Sequence, residues 1–203
     1  MNRISEKTIH VAVEGMTDEA VARKILQTVG IKADPIVHIK RGKMNLKQKI
    51  KAYNNAALFE RWFVLIDLDT PEKCAPATVK EWLPEPNPGM CFRIAVPQIE
   101  SWLLADRIGL AKYLSVSQDK IPNDPDSVQN AKDIMIKLAY QSKKRDIRND
   151  MVHISHTHSL KNGPAYTSRL REFALHYWNV TNASSHSKSL DKCLKALHRL
   201  LKG

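Results

Sequence analysis

The chain has 203 residues, 43% of them hydrophobic and 26% charged, an ordinary globular mixture with enough apolar material for a buried core. Lys and Arg total 32 against 21 Asp and Glu, and the net charge of +11 favours a polyanionic partner, nucleic acid ahead of an anionic membrane surface. The longest apolar run, residues 62–66, falls far short of the roughly 20 residues a spanning helix needs, and the first 14 residues carry no secretory pattern.

Residues 8–13 are β-rich and end at Glu14-Gly15, where glycine permits a sharp turn. Thr17 is placed to cap a helix in which Val21, Ala22, Ile25, Leu26 and Val29 recur at helical spacing. A short strand over 35–40 leads into a basic helix over 43–58, with Leu46, Ile50, Tyr53 and Ala57 as its apolar stripe. Residues 62–66 are apolar at successive positions, the pattern of a strand covered on both faces, and close at Asp67-Leu68-Asp69. After a stretch punctuated by Pro71, Pro76, Pro84, Pro86 and Pro88, a further strand over 91–96 stops at Pro97. A helix starting near Glu100 follows, carrying Trp102, Leu103 and Leu104. This alternation predicts an α/β fold, a mainly parallel open sheet flanked by helices on both faces.

From about Ser115 the texture changes. Residues 128–140, 166–178 and 189–201 have helical patterns, with no strand expected between them. From Gln141 to Gly203, 12 Lys and Arg face 4 Asp and Glu, so +8 of the chain's charge lies there. The expected organisation is an α/β core over 1–114 and a basic α-helical C-terminal appendage over 115–203, packed on that core.

Five acids stand at strand ends or helix starts: Glu14 after the first strand, Asp18 in the first helix, Asp67 and Asp69 after the third strand, Glu100 after the fourth. In a parallel sheet those points share the edge where ligands of open α/β folds bind. Asp67 and Asp69 are two apart, so strand alternation would send them to one side. Gathered carboxylates repel each other unless a cation neutralises them, and Mg²⁺ suits oxygen-only donors. Singly, each acid also reads as a helix-start charge or a polar turn.

Val13-Glu14-Gly15-Met16-Thr17-Asp18-Glu19, followed by a strand ending Asp67-Leu68-Asp69, resembles the Toprim signature. Arg41-Gly42-Lys43, the segment from Val64 to Asp69, and the segment from Val96 to Asp106 narrow the match. They resemble small stand-alone Toprim-like proteins akin to the Toprim halves of OLD (overcoming lysogenization defect) nucleases, which are often linked with anti-phage systems. Gly163-Pro164-Ala165-Tyr166 and Ser189-Leu190 extend the similarity over nearly the whole chain. The resemblance implies phosphodiester hydrolysis assisted by one or two Mg²⁺ or Mn²⁺ ions. Glu14, Asp67 and Asp69 would be ligands, Asp18 and Glu100 would complete a second site, and Lys43 or Arg41 would face the phosphate. It also implies an ABC-type ATPase partner, and leaves a homodimer open. On the residues alone, Arg41 and Lys43 read equally well as a solvated loop before a basic helix.

Lys143, Lys144, Arg145, Arg148, Lys161, Arg169 and Arg171, with Lys192, Lys195, Arg199 and Lys202 of the last helix, form a diffuse basic field expected to bind phosphates with little sequence specificity. Tyr166 is either a base-stacking residue of that surface or a core aromatic at a helix start. His153, His156 and His158 have no neighbouring Cys or acid and read as a polar loop rather than a zinc site. Neither a Walker A motif nor GxGxxG is present, and nothing marks a tyrosine as a topoisomerase nucleophile. Cys74, Cys91 and Cys193 are widely spaced, with no CxxC pair, which argues against a disulfide framework and sets the cytoplasm as the expected compartment. The leading expectation is a nuclease. Its rivals are a non-catalytic nucleic-acid-binding or regulatory subunit and an enzyme acting on a small phosphorylated metabolite.

Overall fold

A computed structural model describes residues 8–69 and 74–202. Four strands, β1 (Ile9–Val13), β2 (Ile36–Ile39), β3 (Arg61–Asp67) and β4 (Met90–Ala95), form one all-parallel sheet in the order β2-β1-β3-β4. The chain runs from β1 outward to β2, then returns past β1 to β3. The strand order therefore reverses between β1 and β3, and the C-terminal ends of those two strands flank the crevice.

Strand alternation sorts the apolar side chains into two layers. Ile9, Val11, Val13, Phe63, Leu65, Cys91 and Ala95 face one way, and Ala12, Trp62, Val64, Ile66, Met90, Phe92 and Ile94 the other. The second face is covered by α2 (Lys43–Ala56), through the expected stripe Leu46, Ile50 and Tyr53, and by α3 (Ala75–Trp82). The first face carries α1 (Met16–Thr28), α4 (Ile99–Ala105) and α5 (Arg107–Leu114). Each large side chain buried this way contributes roughly 1.5–3 kcal/mol, which is why β3, apolar on both faces, sits centrally.

The same apolar cluster continues through the C-terminal helices α6 (Ala131–Tyr140), α7 (Arg145–Met151), α8 (Tyr166–Glu172), α9 (Val180–Ser184) and α10 (Lys188–Lys202). Trp102 Nε1 donates to Ser189 Oγ at 2.7 Å, and Trp178 Nε1 to the Trp102 carbonyl at 3.2 Å. Helix α10 lies against β4; it buries Leu190, Cys193, Ala196 and Leu197 and exposes Lys192, Lys195, Arg199 and Lys202. Among the described residues no helix is long and apolar enough to cross a membrane.

The helices and strands depart from the sequence expectations in three places. Thr17 does not cap α1: the cap is Gly15, two residues earlier, and the Asp18 carboxylate accepts the Gly15 N–H at 2.8 Å. Helix α3 arises inside the proline-punctuated stretch, because Pro76 falls in its first turn, where a missing N–H costs nothing. The C-terminal region is not wholly helical. Strands β5 (Val152–Ile154) and β6 (Leu160–Asn162) pair antiparallel, with the three histidines in or near the exposed hairpin tip. Helix α8 also widens into a π turn over Phe173–Tyr177.

Candidate active site

At the reversal point β1 and β3 end side by side. Glu14 follows β1 directly, and its Oε1 accepts the Asp67 N–H at 3.4 Å. Asp67 is the last residue of β3; its Oδ1 accepts the Ile99 N–H at 2.8 Å, which ties β3 to the first turn of α4. The Leu68 N–H donates to the Ala95 and Pro97 carbonyls at 3.0 Å each, and the Asp69 N–H to the Pro97 carbonyl at 3.1 Å. Asp69 takes a left-handed φ of 63°, so β3 alternation does not continue through it. The expected same-side projection of Asp67 and Asp69 is therefore corrected. Asp67 is held by α4, while Asp69 Oδ2 turns to the Lys43 ammonium at 3.1 Å.

Lys43 reaches this point because Arg41 and Gly42, at φ 47° and 115°, make a tight turn into α2. Its ammonium also donates to the Asp67 carbonyl, and to the Leu68 carbonyl at 3.0 Å. Lys43 thus clamps the segment after β3 instead of facing open solvent. Arg41 is exposed and makes no ion pair with any described residue, so of the two candidate phosphate cations it is the accessible one.

Asp18 and Glu100 come in from α1 and α4, only 8% and 7% exposed. Glu100 Oε1 accepts the Tyr166 hydroxyl at 3.1 Å, and burial followed by the Glu100 charge pushes the phenol pKa far up, keeping it a donor. Tyr166 is buried, so the base-stacking expectation is corrected: its hydroxyl serves the acid cluster and its ring faces no solvent. Lys132 and Gln98 were not among the sequence candidates. Lys132 lies over the Tyr166 ring at 5.6 Å and favours ionised Glu100, and its N–H donates to Gln98 Oε1 at 3.3 Å. No local motif announces either one, because the contacts cross long stretches of chain.

The five carboxyl groups sense one another. Burial first, then Asp18, Glu100, Asp69 and Glu14, push Asp67 well above the usual carboxylate range. Burial and then Glu14 raise Asp18 to about 7, against the opposing Gly15 N–H bond. Burial raises Glu14, with the Asp67 N–H and Lys43 pulling it back, and burial raises Glu100 as well. Such a cluster demands protons or a cation. Its donors are all oxygen, the chemistry of Mg²⁺ or Mn²⁺ rather than zinc. Among the described residues, however, no three Asp, Glu, His or Cys side chains converge tightly enough to enclose an ion. The donor type and the electrostatics fit a divalent cation; the side-chain positions do not enclose one.

The expected basic field separates into committed and open cations. Arg169 is committed: its guanidinium meets Asp146 at 2.9 Å, Asp150 at 2.7 Å and Glu172 at 3.0 Å, which corrects its assignment as a phosphate contact. Lys144 donates to the Tyr113 carbonyl at 2.9 Å, and Arg148 to the Ser142 carbonyl. Lys143, Arg145 and Lys161 are exposed and unpaired with any described acid. No protein-family model, no curated protein and no solved structure matches the chain.

Proposed function

We propose that the chain is a Toprim-like phosphodiesterase that cleaves nucleic acid with Mg²⁺ or Mn²⁺ bound at the β1–β3 edge. One observation carries the reading: carboxylates just after β1, in α1, at the end of β3 and in α4 lie near enough to the point of strand reversal to raise one another's pKa, in surroundings that penalise their ionised forms. Glu14, Asp67 and Asp69 for one ion, and Asp18 and Glu100 for a second, are the proposed ligands, and they would close on an ion only by moving from their positions in this structure. A bound ion would supply positive charge to the phosphoryl oxygens and acidify a water. The chain's own groups do the rest. Lys43 fixes the Asp67–Asp69 segment, Tyr166 orients Glu100, and Arg41 offers an exposed cation to the substrate phosphate. Lys143, Arg145 and Lys161 add affinity without sequence readout. The Toprim-like resemblance adds the setting of an anti-phage effector in the cytoplasm, working with an ABC-type ATPase.

A second reading, a non-catalytic nucleic-acid-binding or regulatory subunit, is favoured by the Lys43 ammonium lying on Asp69, where it supplies part of the counter-charge. Incubating the protein, alone and with an ABC-type ATPase partner, with plasmid and tRNA in Mg²⁺ or Mn²⁺ separates the two. The nuclease reading expects cleavage that disappears in Asp67→Asn and Glu14→Gln, both still folded. Nucleic-acid binding without cleavage under every condition supports the regulatory subunit, and cleavage surviving both substitutions rejects the site.

A further inference from the structure

Strand β4 is one of the two outer strands of the sheet, and a cavity of about 570 Å³ opens beside its C-terminal half, between α3 and α10. That volume lies inside the range of about 300–1,000 Å³ typical of small-molecule sites. Two kinds of wall meet there. Ala75, Pro76 and Val79 of α3, with Leu68, Ile94 and Val96, are aliphatic, whereas Arg93, Lys188 and Lys192 are cationic. None of these three cations makes an ion pair with any described residue, and the Arg93 Nε is buried without a hydrogen-bond partner. Among the described residues the single carboxylate on the lining, Asp126, is already used: it accepts the Ser187 hydroxyl at 2.6 Å and the Ser189 N–H at 2.8 Å, capping α10. On the described lining, cations therefore outnumber carboxylates beside an apolar wall. Among the described residues the outer edge of β4 has no partner strand.

We propose that this cavity binds a nucleoside monophosphate unit, with the phosphate on Arg93, Lys188 and Lys192 and the base against the aliphatic wall. The unit is either a free mononucleotide or the phosphorylated end of a nucleic-acid strand. Leu68, which lies between Asp67 and Asp69 in the chain, forms part of the wall, so the cavity adjoins the carboxylate cluster without using any of its acids. The assignment does not depend on hydrolysis.

Cys74 lines the cavity and is exposed, whereas Cys91 and Cys193 are buried, so alkylation of Cys74 reports occupancy. The full chain in EDTA is titrated with AMP, adenosine, inorganic phosphate and a 5′-phosphorylated oligonucleotide, following binding by calorimetry and the Cys74 alkylation rate. AMP is expected to bind and to slow alkylation at least fivefold, with adenosine and phosphate each at least tenfold weaker. Lys188→Glu with Lys192→Glu, two exposed positions, should weaken AMP at least tenfold, and Arg93→Gln should do the same. Asp67→Asn should bind AMP as the parent does, which separates this site from the carboxylates. Displacement of AMP by the oligonucleotide assigns the strand end, and failure to displace it assigns the free mononucleotide. AMP binding unchanged in the double lysine variant, phosphate binding as tightly as AMP, or no protection of Cys74 would overturn the proposal.

Discussion

Two acidic clusters in this molecule use the same side chains to opposite ends. Around Arg169, Asp146, Asp150 and Glu172 share one guanidinium near the surface, and each has an opposite charge within 3.0 Å. At the β1–β3 edge, of Glu14, Asp18, Asp67, Asp69 and Glu100 only Asp69 has an ion-pair partner among the described residues, the Lys43 ammonium, and burial and mutual repulsion push the other four toward protonation. The first arrangement is electrically complete and serves packing. The second is incomplete, and the proposed cation would complete it.

The largest effect should come from removing a carboxylate at the incomplete cluster. Asp67→Asn is expected to lower metal-dependent cleavage by at least about 100-fold while the folded fraction by circular dichroism stays unchanged. The corresponding loss at the complete cluster should invert that pattern. Arg169→Met leaves three carboxylates without their shared partner and should cost about 1–2 kcal/mol in urea unfolding, with cleavage within twofold of the parent.

Acidity sharpens the contrast further. Asp18 has a folded pKa of about 7 against an ordinary value of 3.8, so between those values the folded chain keeps a proton that the unfolded chain releases. Metal-free stability should therefore fall as pH rises through that window, by several degrees in Tm. Asp18→Asn should flatten the fall, and Mn²⁺ should offset it. A Tm that rises with pH in EDTA would show that the carboxylates are already compensated. The smallest effect belongs to the open cations. Replacing Lys143, Arg145 or Lys161 by Ala should weaken nucleic-acid binding only a few-fold and reduce its salt slope by about 1 each.

The parts of this structure that show in the sequence are those where local pattern and burial agree. Residues 62–66 are apolar throughout because β3 is covered on both faces, and the acids that follow β1 and β3 stand out because they end apolar runs. What escaped rests on single-residue backbone choices or long-range contacts. Asp69 leaves the strand pattern through one left-handed φ, which no neighbouring residue type requires. Helix α3 hides behind prolines that signal breaks everywhere except in a first turn. The hairpin β5–β6 has strands too short to show alternation against their His and Lys content. Tyr166 meets Glu100 across 66 positions, so its service to the acid cluster could not be told from core packing or base stacking.

Mn²⁺ titration of the metal-free protein, followed by electron paramagnetic resonance and calorimetry in buffers of different ionisation enthalpy, bears most directly on the carboxylate cluster. The cluster predicts Mn²⁺ uptake accompanied by proton release near pH 7, with both lost in Glu14→Gln combined with Asp67→Asn. Uptake unchanged in that double variant, or no uptake by the parent chain, would contradict it.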